Sequence, residues 1–151
     1  MPTKFKEIYE RAVFKFTDYT FLNIENELKE AVLQKYLLSS IVDFQHSCKI
    51  DLNDYSIEDA QFNNELDNEI IDILSLGIAF HWLSAQLLNR ELLKNMIHNK
   101  DYTSYSPANL LKVIKEVRDT IEGEYRGKIN TYSFRHGSID TLKVWGELWN
   151  S

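Results

Sequence analysis

A chain of 151 residues is the size of one ordinary domain, and 44% apolar with 13% aromatic residues is enough to fill a core. Five glycines and two prolines exclude a turn-dense all-β protein, a collagen-like chain and a low-complexity tail. The net charge of −6 excludes the broad basic face of a tight nucleic-acid binder, and it is uneven: residues 1–75 hold 15 acidic against 7 basic residues (−8), residues 76–151 hold 8 against 10 (+2).

The N-terminal stretch MPTKFKEIYERAVFKF is charged and helix-patterned, and it lacks the uninterrupted apolar core of a signal peptide. Thr3 is placed to cap a first helix, in which Phe5, Ile8, Tyr9, Ala12, Val13 and Phe16 recur as one apolar stripe. DYTFLN breaks the pattern, and Asn23 suits the cap of a second helix. That helix carries Ile24, Leu28, Ala31, Val32, Leu38, Ile41 and Val42 as its apolar series. Glu25, Glu27 and Glu30 lie in its first turns, where the helix dipole favours negative charge.

From His46 to Asp67 the helical period fails. The stretch HSCKIDLNDYSIEDAQFNNELD reads as an ordered acidic loop with one short helical turn near Ile57–Phe62, tied down by Phe62 and Leu66. Cys48 is the chain's one cysteine, so no intrachain disulfide forms, as suits a reducing cytoplasm.

A third helix starts near Asp67 or Asn68 and is apolar almost all round from Ile70 to Leu83, as expected of a helix buried on most sides. The segment Ile70–Leu88 has about the length of a membrane span, but Asp72, His81 and Gln86 interrupt it, which favours a buried central helix. Gly77 in mid-helix costs about 1 kcal/mol against alanine, a cost explained by the close approach of another helix. Ser84 is the expected place for a kink or short break.

After the loop HNKDYTSY, Ser106 at the N-cap and Pro107 at the first helical position open a last helix. Its apolar series runs Leu110, Leu111, Ile114, Val117, Ile121, Tyr125, Ile129 and Tyr132. Gly123 and Gly127 allow an alternative, a helix ending near Tyr125 followed by a strand in KINTYSF; the surviving period favours one long helix ending at Gly137. The sequence thus describes an all-α bundle of about four main helices over residues 1–137, with an acidic loop between the second and third. A short extended tail over 138–151 carries Leu142, Val144, Trp145 and Trp149, apolar and aromatic residues suited to docking on a partner or packing back on the bundle.

No motif carries catalytic chemistry. Arg135-His136-Gly137 resembles a histidine-phosphatase signature, but it lacks the α/β domain that chemistry requires. Asp51–Phe62 suggests a calcium loop yet has Tyr55, Ser56 and Phe62 where Asp or Asn, Gly and Glu belong. His46, His81, His98 and His136 are scattered singly, without zinc spacing. His81, on an apolar helix, reads as a packed histidine with a satisfied hydrogen bond. Lys112, Lys115, Arg118, Arg126, Lys128 and Arg135 interleave with Glu116, Asp119, Glu122 and Glu124, as on a mixed solvated face.

CKIDL in the acidic loop, then QFNNELDNEIIDILSLGIAFHWL, then YSPANLLK opening the last helix, resemble in this order the small all-helical neck proteins (head–tail connectors or adaptors) of tailed bacteriophages. The resemblance covers about residues 36–132. It rests on Phe62-Asn63, on the Glu69–Leu83 block with Gly77 and Trp82, and on Tyr105–Asn109, which holds Ser106 and Pro107. It implies a structural virion protein, not an enzyme and without a cofactor, that assembles as a ring below the portal and extends the DNA channel. The implied partners are the portal protein, a downstream neck or tail completion protein and further copies of the chain. DNA passes through without specific binding, and no membrane is involved. The implied place is the virion neck, reached from the host cytoplasm during assembly. Ser84 and the tail after Gly137 depart from the family pattern. Two other classes stay open: a small helical regulatory module that binds a protein partner, and a DNA-associated helical protein. Replacing the cap by Ser106→Ala should lower stability by about 1 kcal/mol, read as a fall in melting temperature.

Overall fold

The computed structural model describes residues 2–15, 26–96 and 107–136. They form helices α1 (Phe5–Lys15), α2 (Asn26–Phe44), α3 (Asn68–Met96) and α4 (Pro107–His136). Between α2 and α3 lie a 3₁₀ turn (Gln45–Ser47) and a two-stranded antiparallel hairpin, β1 (Tyr55–Ser56) and β2 (Gln61–Phe62). The fold is an all-α bundle, as the helical periods require.

α1 buries Phe5, Ile8 and Ala12 and half-buries Tyr9 and Val13, the stripe expected of it; Phe16 lies outside the described residues. Thr3 does other work than capping. Its hydroxyl accepts the Leu66 N–H at 2.8 Å, and its carbonyl accepts the Phe62 N–H at 2.8 Å. The Phe5 N–H in turn donates to the Ala60 carbonyl at 2.9 Å, so the chain enters α1 as an extended segment laid along β2.

The core face of α2 keeps part of the expected series: Ile41 is buried and Val32 and Leu38 pack against the core. Leu33, Leu37, Ile41 and Phe44 are buried, whereas Ala31 is exposed and Val42 is 68% exposed. The spacing 33–37–41–44 is the true 3.6-residue stripe, and Val42 lies about 100° away from it around the helix. Asn23 and Ile24 lie outside the described residues.

The acidic loop is ordered, but the helical turn expected near Ile57–Phe62 is a hairpin. Tyr55 pairs with Phe62 and Ser56 with Gln61, and the rings of Tyr55, Phe62 and Phe5 meet edge to face at 5.0 to 6.2 Å. Aromatic cross-strand pairs of this kind stabilise an antiparallel ladder. Phe62 and Leu66 are buried, the role expected of them. Gln45 holds the start of the loop: its amide donates to the Ile50 carbonyl and its amide oxygen accepts from the Leu52 N–H. Such contacts give loop backbone the partners it would otherwise take from water.

α3 is the centre of the bundle, with α1, α2 and α4 all packed on it. The Asp67 carboxylate accepts the Ile70 N–H at 2.9 Å and caps its first turn. The segment Asn68–Asn89 has the length and hydropathy of a membrane span, but 67% of its apolar window is buried inside the bundle. Trp82 is 1% exposed, and burying such a ring is worth roughly 4–6 kcal/mol gross at about 25 cal/mol per Å². The helix runs through Ser84 unbroken. The expected break is therefore absent, although the Ser84 hydroxyl oxygen is left buried without a hydrogen-bond partner.

α4 starts at Pro107 and continues through both glycines to His136, so KINTYSF is helical and the strand alternative falls. Its core face is Ile114, Ile121, Tyr125 and Tyr132, with Ile129 half-buried; Val117, placed on that face by its spacing, is 39% exposed. Lys128 meets Asp72 and Arg135 meets Glu69, which makes α4 antiparallel to α3.

The glycine expected to mark a close helix approach does so. A Cβ on Gly77 would stand 2.7 Å from the Ser40 Cβ and 2.9 Å from the Tyr125 ring, and would collide with the Ser40 hydroxyl. By contrast, a Cβ on Gly123 would meet nothing within 4 Å. Gly77→Ala should therefore destabilise by about 1–3 kcal/mol through overpacking. Gly123→Ala should stabilise by up to about 1 kcal/mol through helix propensity. Urea denaturation of the two variants should give midpoints displaced in opposite directions.

Candidate functional site

Two polar clusters hold the helices in register, and each borders an open groove. The first joins α2, α3 and α4. Asp43 projects from the last turn of α2, and its Oδ2 lies 2.6 Å from His81 Nε2 and accepts the Tyr125 hydroxyl at 3.1 Å. The same hydroxyl lies 3.4 Å from the Ser40 carbonyl oxygen. The His81 ring sits edge-on to Phe80 at 5.1 Å. Its place on an apolar helix is thus that of a packed histidine with a polar partner. Burial, then the Asp43 charge, raises the Tyr125 phenol above its ordinary value, so it stays a neutral donor. A groove of about 520 Å³ lies alongside, lined by Val42, Asp43, His46, Arg126, Ile129 and Asn130. Of the cluster, Asp43 faces it.

The second cluster joins α1, α3 and α4. Asp72 accepts Lys15 Nζ at 3.0 Å and Lys128 Nζ from the other side. Burial pushes the Asp72 carboxyl up, but the hydrogen bonds and charges of Lys128 and Lys15 outweigh it and leave the group below the usual carboxylate range. A group lowered in this way stabilises the fold at neutral pH and loses that contribution as pH falls through its depressed value. One turn away, Glu69 takes Arg135 at 3.2 Å and lies 3.4 Å from His136 Nε2. Arg11 donates to the Asn68 amide oxygen at 2.8 Å. The groove between these side chains has a volume of about 630 Å³ and is open to solvent. Its charges are matched within the fold, which suits a helix clamp better than a ligand cradle.

Arg135 and His136, the pair that resembles a phosphatase motif, lie in the last turn of α4 and face Glu69. An acidic partner beside both groups would repel phosphate. The calcium-like loop uses its acids locally. Asp51 accepts the Asn53 N–H, Asp54 accepts the Asn63 amide at 2.7 Å, and Asp59 pairs with Ser56. Among the described residues no three His, Cys, Asp or Glu side chains gather as metal ligands. The Cys48 thiol is half-buried 3.9 Å from the Tyr132 hydroxyl, and burial raises it above its ordinary value, which keeps it protonated and unreactive.

The residues singled out as structural take these places where they can be described. Phe62 and Trp82 are buried, Gly77 lies at the helix crossing, and Pro107 is the first residue of α4. Ser106 and the tail residues Leu142, Val144, Trp145 and Trp149 lie outside the described residues. The Asp43–His81–Tyr125 cluster was not foreseen, because its members are far apart in the chain and only His81 drew notice. Asp72 did leave a signal, as the one charge inside an otherwise apolar run.

The buried cluster sets a pH dependence. Tyr125 is held neutral, so its share of stability is complete below the unfolded phenol value near pH 10 and is lost as pH rises beyond it. Tyr125→Phe should cost about 1–3 kcal/mol at pH 7 and should flatten the loss of stability above pH ~10. Urea titrations at neutral and alkaline pH test both effects.

No protein-family model, no curated protein and no solved structure matches this chain.

Proposed function

We propose that the chain is a structural head–tail connector of a tailed phage, a neck or adaptor protein that assembles as a ring below the portal and extends the DNA channel. The observation that carries this reading is where the family-like blocks fall. Phe62, Gly77 and Trp82, three landmarks of the resemblance, are the loop plug, the helix crossing and the largest buried side chain of the bundle. The resemblance therefore follows the residues that build the fold and involves no motif of catalytic chemistry.

Charge is compatible with the role. A net-acidic chain lets DNA slide past without being retained, since attraction to phosphate would slow it. A ring also needs two different surfaces that complement each other, and the uneven charge of the two halves supplies opposite signs. In this reading the partners are the portal protein, a downstream neck or tail completion protein and neighbouring copies. The protein would act in the virion neck, without a cofactor and without catalysis. A helical regulatory module is the second reading, favoured by the exposed apolar side chains Phe14 and Phe134.

Under the neck reading, Leu142, Val144, Trp145 and Trp149 dock on the portal or on a neighbouring subunit. Removing residues 138–151 should abolish co-sedimentation with portal rings while leaving the helical circular dichroism unchanged. Failure of the full chain to bind portal rings, in native mass spectrometry as in sedimentation, would overturn the reading and leave the regulatory module. Retention of DNA that falls with salt would favour the DNA-associated alternative.

A further inference from the structure

No further inference is drawn: the strongest candidate, the uncovered outer face of α4 with Gly123, Gly127 and the exposed Phe134, carries nothing, because the cations beside it, Arg126, Lys128 and Arg135, are already paired with Glu122, Asp72 and Glu69 and nothing in the structure shows what covers it.

Discussion

At Gly77 the backbone of α3 lies bare, and Ser40 of α2 and Tyr125 of α4 close on it from two sides. The rest of the bundle depends on that approach. Because Tyr125 reaches across Gly77, its hydroxyl can donate to Asp43, and because Asp43 is then in place, it meets His81. A methyl group at Gly77 would push α2 and α4 off α3 and undo three polar contacts along with the packing. Close-packed interiors transmit such a shift because they have no slack to absorb it.

Electrostatics sets the rotation of the outer helices about α3. Asp72 holds α1 and α4 through Lys15 and Lys128, and Glu69 holds the end of α4 through Arg135. Partly exposed ion pairs contribute little individually. Placed on one side of an otherwise apolar helix, they select which face α1 and α4 present to it. The faces left over are the ones carrying Phe14 and Phe134. Surface character is thus a consequence of how the inner pairs are matched.

Much of this was legible in the sequence, and the misses have physical causes. The helices were readable because amphipathic period and the almost wholly apolar α3 agree with one another. Gly77 was readable because a mid-helix glycine needs a reason. The stripe of α2 was misread at Ala31 and Val42 because apolar residues occupy several of its faces, and they alone do not say which face is covered. The hairpin at Tyr55–Phe62 was missed because two-residue strands have no period, and their pairing depends on Phe5, more than fifty positions earlier. The candidate site was the least legible part. Asp43, His81 and Tyr125 come from three helices, and no local pattern announces a contact made by tertiary packing.

The bond between Thr3 and Leu66 spans 63 positions. On a ribosome α1 emerges well before β2, Leu66 and α3, the parts that make its seat. At about 5–20 residues per second, α1 waits several seconds before that seat exists. Through that interval Phe5, Ile8 and Ala12 have no core to enter. A helix made early in the chain is therefore among the last to be secured.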